Sequence, residues 1–250
     1  MKVKNILISQ PEPKLDSNSP YQEIADKYKL KLEFRQFIQV AGVNAADFRK
    51  DKINPQEYNA VIFTSRNAID HYFRICEEMR ISISSELKYF CQSEAVAHYL
   101  QKYVIYRKRK IYFGNGEFKD LVPHLKKHKE EKFLLPSSDV LNPDIPSVLN
   151  DYKFKYTRAV LYKTVSADLK EINIVTYDML VFFSPAGIQS LFQNFPNFVQ
   201  GNTRIATFGP NTTKAAEEAG LTVNLKAPSE KNPSMTMAIE EYVREANKSR

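Results

Sequence analysis

Four short segments of this 250-residue chain end an apolar run on small hydroxyl, amide or glycine residues, an arrangement suited to binding oxyanions. Phe63 is followed by Thr64, Ser65, Arg66 and Asn67, and Phe183 by Ser184, Pro185, Ala186 and Gly187. Leu135 leads through Pro136 to Ser137 and Ser138, and Phe208 leads to Gly209, Pro210, Asn211, Thr212 and Thr213. At a helix start, Ser or Thr caps the first turn and can also hydrogen-bond an anion. Proline loses nothing at the first helical position, and glycine lets a ligand approach the backbone. The chemistry predicted is capture of a small anion by N–H and O–H donors. Any one of these turns also reads as plain helix capping; their recurrence is what points to a ligand.

The elements that must carry these turns are short apolar runs alternating with amphipathic stretches, the pattern of a mainly parallel sheet covered by helices on both faces. The expected strands are Asn5 to Ser9, Leu32 to Val40, Ala60 to Thr64, Lys88 to Cys91, Lys132 to Leu135, Tyr156 to Thr164, Met179 to Phe183, Arg204 to Phe208 and Thr222 to Leu225. In such a sheet, ligands bind beyond the carboxyl ends of the strands, where helix N-termini offer unpaired N–H groups. The four turns occupy that position.

The chain also repeats itself. VIFTSRNAIDHYF (Val61 to Phe73) aligns with LVFFSPAGIQSLF (Leu180 to Phe192), matching Ser65, Ile69 and Phe73 with Ser184, Ile188 and Phe192. EIADKYKLKLEF (Glu23 to Phe34) aligns with SVLNDYKFKYTR (Ser147 to Arg158), matching Tyr28, Lys29 and Lys31 with Tyr152, Lys153 and Lys155. One type of unit thus covers residues 1–38 and 130–164, and a longer type covers 59–128 and 178–250. The order is compatible with a tandem cut near residue 129 and equally with an interleaved arrangement of terminal and middle units.

Composition narrows the function. Residues 40–165 hold 21 Lys and Arg against 15 Asp and Glu, so most of the net charge of +7 lies there and favours anionic ligands. The YRKRK run at Tyr106 to Lys110 reads as a solvated edge, with a nucleic-acid patch as the competing reading. Cys76 and Cys91 form no C-x-x-C pair and read as core residues. His124 and His128 share a helical face, but no acidic neighbour of the H-E-x-x-H kind accompanies them, so no metal is expected. The chain has seven glycines and no G-x-G-x-x-G, Walker or G-x-S-x-G motif, which removes support for nucleotide cofactors and hydrolase triads. Without an apolar run of membrane-spanning length or a signal peptide, the expected location is cytoplasmic.

These blocks together resemble the uroporphyrinogen-III synthase family. The resemblance runs from SPYQEIADKYKLKLEFRQFIQV through AVIFTSRNAIDHYF, FLLPSSD and AVLYKT to LVFFSPAGIQSLF and IATFGPNTTKAAEEAGLTVNLKAPSEKNPSMTMAIEEY, so it covers most of the chain. Its Phe-Ser-Pro-x-Gly and Gly-Pro-x-Thr turns are the most specific parts. The resemblance implies an α/β fold of two similar parallel-sheet, flavodoxin-like domains that are interleaved. Residues 1–38 plus 166–250 would form one domain and 39–165 the other, joined by a two-stranded β linker at about 32–40 and 156–165. It also implies a monomeric, cofactor-free lyase that takes hydroxymethylbilane from hydroxymethylbilane synthase. The enzyme would dehydrate and cyclise this linear tetrapyrrole, which carries eight carboxylates, with inversion of ring D. The residue corresponding to the family's candidate general acid is Tyr162.

Two departures stand out. Where the family has a Gly-x-x-Thr turn, this chain reads FCQSEAVA, with Cys91 for the glycine and Glu94 for the threonine; Ser93 is then the donor expected there, and Glu94 would repel substrate carboxylates. The early turn ISQPEPKLDSNSPY is longer than usual in the family. A non-catalytic anion- or tetrapyrrole-binding regulatory relative is the alternative function, and a nucleic-acid binder using YRKRK is a further one. Neither a nucleic acid nor a membrane is expected as a partner.

Overall fold

The computed structural model describes residues 2–13 and 19–248, so the middle of the long early turn lies outside the described residues. In chain order the strands are Asn5–Ile8 (β1), Lys31–Phe34 (β2), Ile38–Gly42 (β3), Ala60–Phe63 (β4), Lys88–Cys91 (β5), Ile111–Phe113 (β6), Phe133–Ser138 (β7), Tyr156–Ser166 (β8), Met179–Phe182 (β9), Arg204–Phe208 (β10) and Val223–Ala227 (β11). The α-helices are Pro20–Tyr28 (α1), Ala45–Lys50 (α2), Arg66–Glu78 (α3), Glu94–Leu100 (α4), Val122–Lys127 (α5), Asp144–Asp151 (α6), Pro185–Asn194 (α7), Pro210–Glu218 (α8) and Met235–Lys248 (α9). None of them is long and apolar enough to cross a membrane.

The chain divides into two compact units, a terminal one made of Met1–Gln39 and Val165–Arg250 and a central one made of Val40–Thr164. The terminal unit holds a five-stranded sheet ordered β11-β10-β9-β1-β2. The central unit holds the six-stranded sheet ordered β3-β8-β7-β4-β5-β6, in which β4 to β8 pair in parallel. Reading the terminal sheet from β9 gives the same spatial order as reading the central one from β4. Each sheet therefore follows one strand path, and the terminal unit enters it at a different point. The repeats fall into place on this frame: β4 and α3 match β9 and α7, while α6 and β8 match α1 and β2.

Burial on both faces explains why the strands read as unbroken apolar runs. In β4, Val61 and Phe63 face Tyr72, Ile75 and the α4 side of the core. The alternate residues Ala60 and Ile62 face Phe118, Leu125 and Leu149 on the other side. In β9 the same alternation sends Met179 and Val181 toward Ile239 and Val243 of α9, and Leu180 and Phe182 toward Ile188 and Leu191 of α7. The two cysteines are buried and unpaired, and burial pushes the Cys91 thiol up to about 12.

Two elements differ from the expectation. Residues 32–40 do not form one strand: β2 ends at Phe34, and β3 begins at Ile38 in the other sheet. The break occurs because Phe37 is 1% exposed, packs edge-on against Phe182 and gives its carbonyl to the Ser190 hydroxyl and the Ala167 N–H. The strand β6 was not foreseen, being three residues long and directly preceded by the basic YRKRK run.

Candidate functional site

The central sheet changes direction between β4 and β7: the chain moves outward through β5 and β6 on one side and through β8 on the other. Loops leaving the carboxyl ends of such a strand pair part company and leave a crevice. Here it is an open pocket of about 590 Å³, with Thr64, Ser65, Gln92, Ser138, Asn142 and Tyr162 as its uncharged polar lining. That volume is in the range of small-molecule sites.

Each donor is held by local structure. Ser65 is the N-cap of α3 in extended conformation, its hydroxyl accepting from the Ala68 N–H at 3.1 Å. The β7–β8 register shifts between Ser137 and Ser138, so Ser137 is opposite Val160 and Ser138 is opposite Tyr162. Skipping Leu161 in this way is what a bulge does, and it re-aims the side chains beyond it. The Tyr162 and Ser65 hydroxyls share a hydrogen bond of 3.1 Å. The Tyr162 ring stacks on His71 with centroids 4.9 Å apart and planes 18° from parallel. Burial raises the Tyr162 phenol above its ordinary value, against a lowering by the Ser65 hydrogen bond, so the group is a neutral donor at physiological pH.

The exit of β7 is organised by a residue that sequence reasoning passed over. Arg158 on β8 donates from Nε to the Ser137 hydroxyl at 2.9 Å and from Nη2 to the carbonyls of Ser138 and Asp139, each at 2.8 Å. Ser137 is 1% exposed, so its hydroxyl serves the turn from within, while Ser138 lines the pocket. The Ser138 hydroxyl donates to Asp139, which also accepts from the Thr164 N–H. Burial disfavours the Asp139 charge, but these bonds outweigh it and hold the carboxyl below its ordinary range.

The remaining central residues are dispersed. Arg66 lies over the Tyr99 ring, 5.4 Å from its centroid, and Asn67 is exposed in the first turn of α3. Ser93 caps α4 through Val96, while its neighbour Gln92 enters the pocket lining and donates to the Gly116 carbonyl at 2.6 Å. Glu94 stands at the first position of α4 and is 3.7 Å from His98. The central unit has an excess of six positive charges, but the charged lining is Lys119 beside Glu117 and Asp144, so the excess lies elsewhere on the unit. His124 and His128 pack against Tyr112. Lys110 of the YRKRK run bonds the Ser85 carbonyl and Glu86.

In the terminal unit the corresponding direction change lies between β9 and β1. Ser184 caps α7 through the Gly187 N–H at 3.2 Å, with Pro185 and Ala186 in the first turn. A Cβ added at Gly187 would meet Ser184 Oγ at 3.6 Å and Ser9 Oγ at 3.7 Å, so the turns after β9 and β1 adjoin. Gly209 precedes α8 at φ 87°, ψ 150°, a conformation essentially confined to glycine. Pro210 and Asn211 are exposed, whereas Thr212 is 3% exposed. The Thr213 hydroxyl donates to the Gly209 carbonyl and is 2.7 Å from that of Thr207. Thr213 therefore braces this turn from behind.

The family model described as uroporphyrinogen-III synthase HemD matches residues 37–237. No curated protein matches the chain in sequence. Among solved structures, the uroporphyrinogen-III synthetase of Helicobacter pylori is similar at 17% identity and TM-score 0.56, covering 96% of this chain and 99% of that one. A mutant uroporphyrinogen III synthase of Thermus thermophilus is 13% identical with TM-score 0.49, covering 99% of this chain and 100% of that one. With four fifths of its length matched by the family model, the chain belongs to the uroporphyrinogen-III synthase family, enzymes of tetrapyrrole biosynthesis.

Proposed function

We propose that the protein is a hydroxymethylbilane hydro-lyase that closes its substrate to uroporphyrinogen III with ring D inverted, without a cofactor and as a monomer, taking its substrate from hydroxymethylbilane synthase. The observation that carries the chemistry is the Tyr162 hydroxyl, a buried neutral phenol on the pocket wall and bonded to the cap of α3.

The substrate is already reactive, so the enzyme's task is to assist departure of one hydroxyl and to control which ring carbon attacks. Tyr162 donates its proton as the carbon–oxygen bond breaks, and the hydroxyl leaves as water. The electrophilic methylene carbon left behind is attacked by the substituted α-carbon of ring D, forming a spirocyclic intermediate. The bond from the ring C methylene to that α-carbon then breaks, and the methylene, still attached to ring C, joins the free α-carbon of ring D. Loss of the proton from that carbon restores the aromatic ring and balances the proton given to water. Hydroxyl and N–H donors at Ser65, Ser138 and the α3 N-terminus hold substrate carboxylates, and the Ser184 and Gly209 turns of the terminal unit offer the same kind of donor.

The test is to generate hydroxymethylbilane in the presence of the protein, oxidise the products and separate the porphyrin isomers. Isomer III is expected to predominate. Isomer I alone, the product of spontaneous closure, would refute the proposal.

A further inference from the structure

We infer that His71, fixed by Arg74, is the positioning residue that holds the Tyr162 hydroxyl in its productive place. This inference rests on the reading of Tyr162 as the acid. His71 lies two turns into α3 from the Ser65 cap, which brings its ring under Tyr162 while Ser65 holds the hydroxyl end. The phenol is thus held at its face and at its tip.

Arg74 sets the imidazole. Its Nε donates to His71 Nδ1 at 3.2 Å, which makes Nδ1 the acceptor and leaves the neutral ring's proton on Nε2. Its Nη2 donates to the Val43 carbonyl at 2.7 Å and to the Leu161 carbonyl at 3.3 Å, and its Nη1 donates to Glu78. Leu161 directly precedes Tyr162, so the same guanidinium grips the backbone beside the phenol and the ring beneath it. Gly42 makes room for this grip: a Cβ there would meet Arg74 Nη2 at 2.8 Å. Burial, then the Arg74 charge, lower the His71 pKa, while Asp70 and Glu78 act in the opposite direction. A neutral ring preserves the Arg74 bond, because an imidazolium has no acceptor to offer.

The test is a double-mutant cycle read in kcat and KM for uroporphyrinogen III formation. His71→Asn keeps an acceptor near Arg74 but removes the stacked ring. It is expected to lower kcat about ten-fold, with KM unchanged within about two-fold. In the Tyr162→Phe background, where no hydroxyl remains to be positioned, the same substitution should change kcat by less than about two-fold. Equal losses in both backgrounds would overturn the inference. If His71→Asn fails to fold, His71→Phe decides the matter: it keeps a flat ring and should give a smaller loss, about three-fold, with the same dependence on Tyr162. An unimpaired Tyr162→Phe enzyme would instead overturn the acid role and this inference with it, an outcome distinct from impaired but independent variants.

Discussion

The two units are built on one strand path, yet they finish their equivalent turns differently. After β4, Ser65 caps its helix and also meets a phenol from β8, a strand of eleven residues. After β9, Ser184 makes the same kind of cap, but β2, the counterpart of β8, stops after four residues at Phe34. After β5, a side chain, Ser93, caps α4; after β10, the backbone of Gly209 starts α8 without any side-chain cap. The scaffold therefore fixes where donors can stand, and the length of one neighbouring strand decides whether a proton donor joins them. By this contrast a neutral phenol joins the serine cap after β4 in the central unit, while the matching cap after β9 in the terminal unit stands without one.

The sharpest way to break this contrast is Tyr162→Phe. It should reduce kcat for isomer III about 100-fold, the lower end of what a positioned acid supplies, with a melting temperature close to that of the parent. Gly209→Ala is next. No atom lies within 4 Å of the added Cβ, so the cost is purely conformational, about 1–3 kcal/mol in urea unfolding. Ser65→Ala and Ser184→Ala should each lose about 1 kcal/mol of stability as caps are removed. Only Ser65→Ala should also depress kcat strongly, because only Ser65 holds the phenol; equal kcat losses would erase the distinction between the units. The smallest effect belongs to Glu94→Thr. Glu94 is exposed and outside the pocket lining, so stability should stay within about 0.5 kcal/mol, while KM falls by about two-fold at most as longer-range repulsion of an anionic substrate is relieved.

Much of this was legible because the strands are buried on both faces. Apolar blocks such as Ala60–Phe63 and Met179–Phe182 stand out against polar flanks, and the two repeats mark equivalent places in the sheets. The break at Arg35 to Phe37 was not legible, since no glycine or proline signals it; a single buried ring and its carbonyl partners cause it. Most of the loop side of the pocket was also missed. Gln92 and Glu117 to Lys119 reach it from segments beside β6, which had not been recognised, and Asn142 reaches it from the loop after β7. Ser65 and Ser138 were legible as cap and turn chemistry. His71, Arg74 and Arg158 were not, because their roles come from contacts across elements that leave no short-range pattern.

The division of the terminal unit between the two ends of the chain also orders its birth on the ribosome. The first strand, β1, sits between β2 and β9, and the Val3 backbone is bonded through both N–H and carbonyl to the Asn247 side chain. About 145 residues separate Phe34 from Met179, a wait of roughly 7 to 30 s at ordinary elongation rates. During that interval the central unit, contiguous in sequence, can complete its sheet while β1 and β2 remain an unfinished pair. Chaperone dependence should therefore concentrate on residues 1–40 after they emerge, and slowing translation should lengthen their exposure.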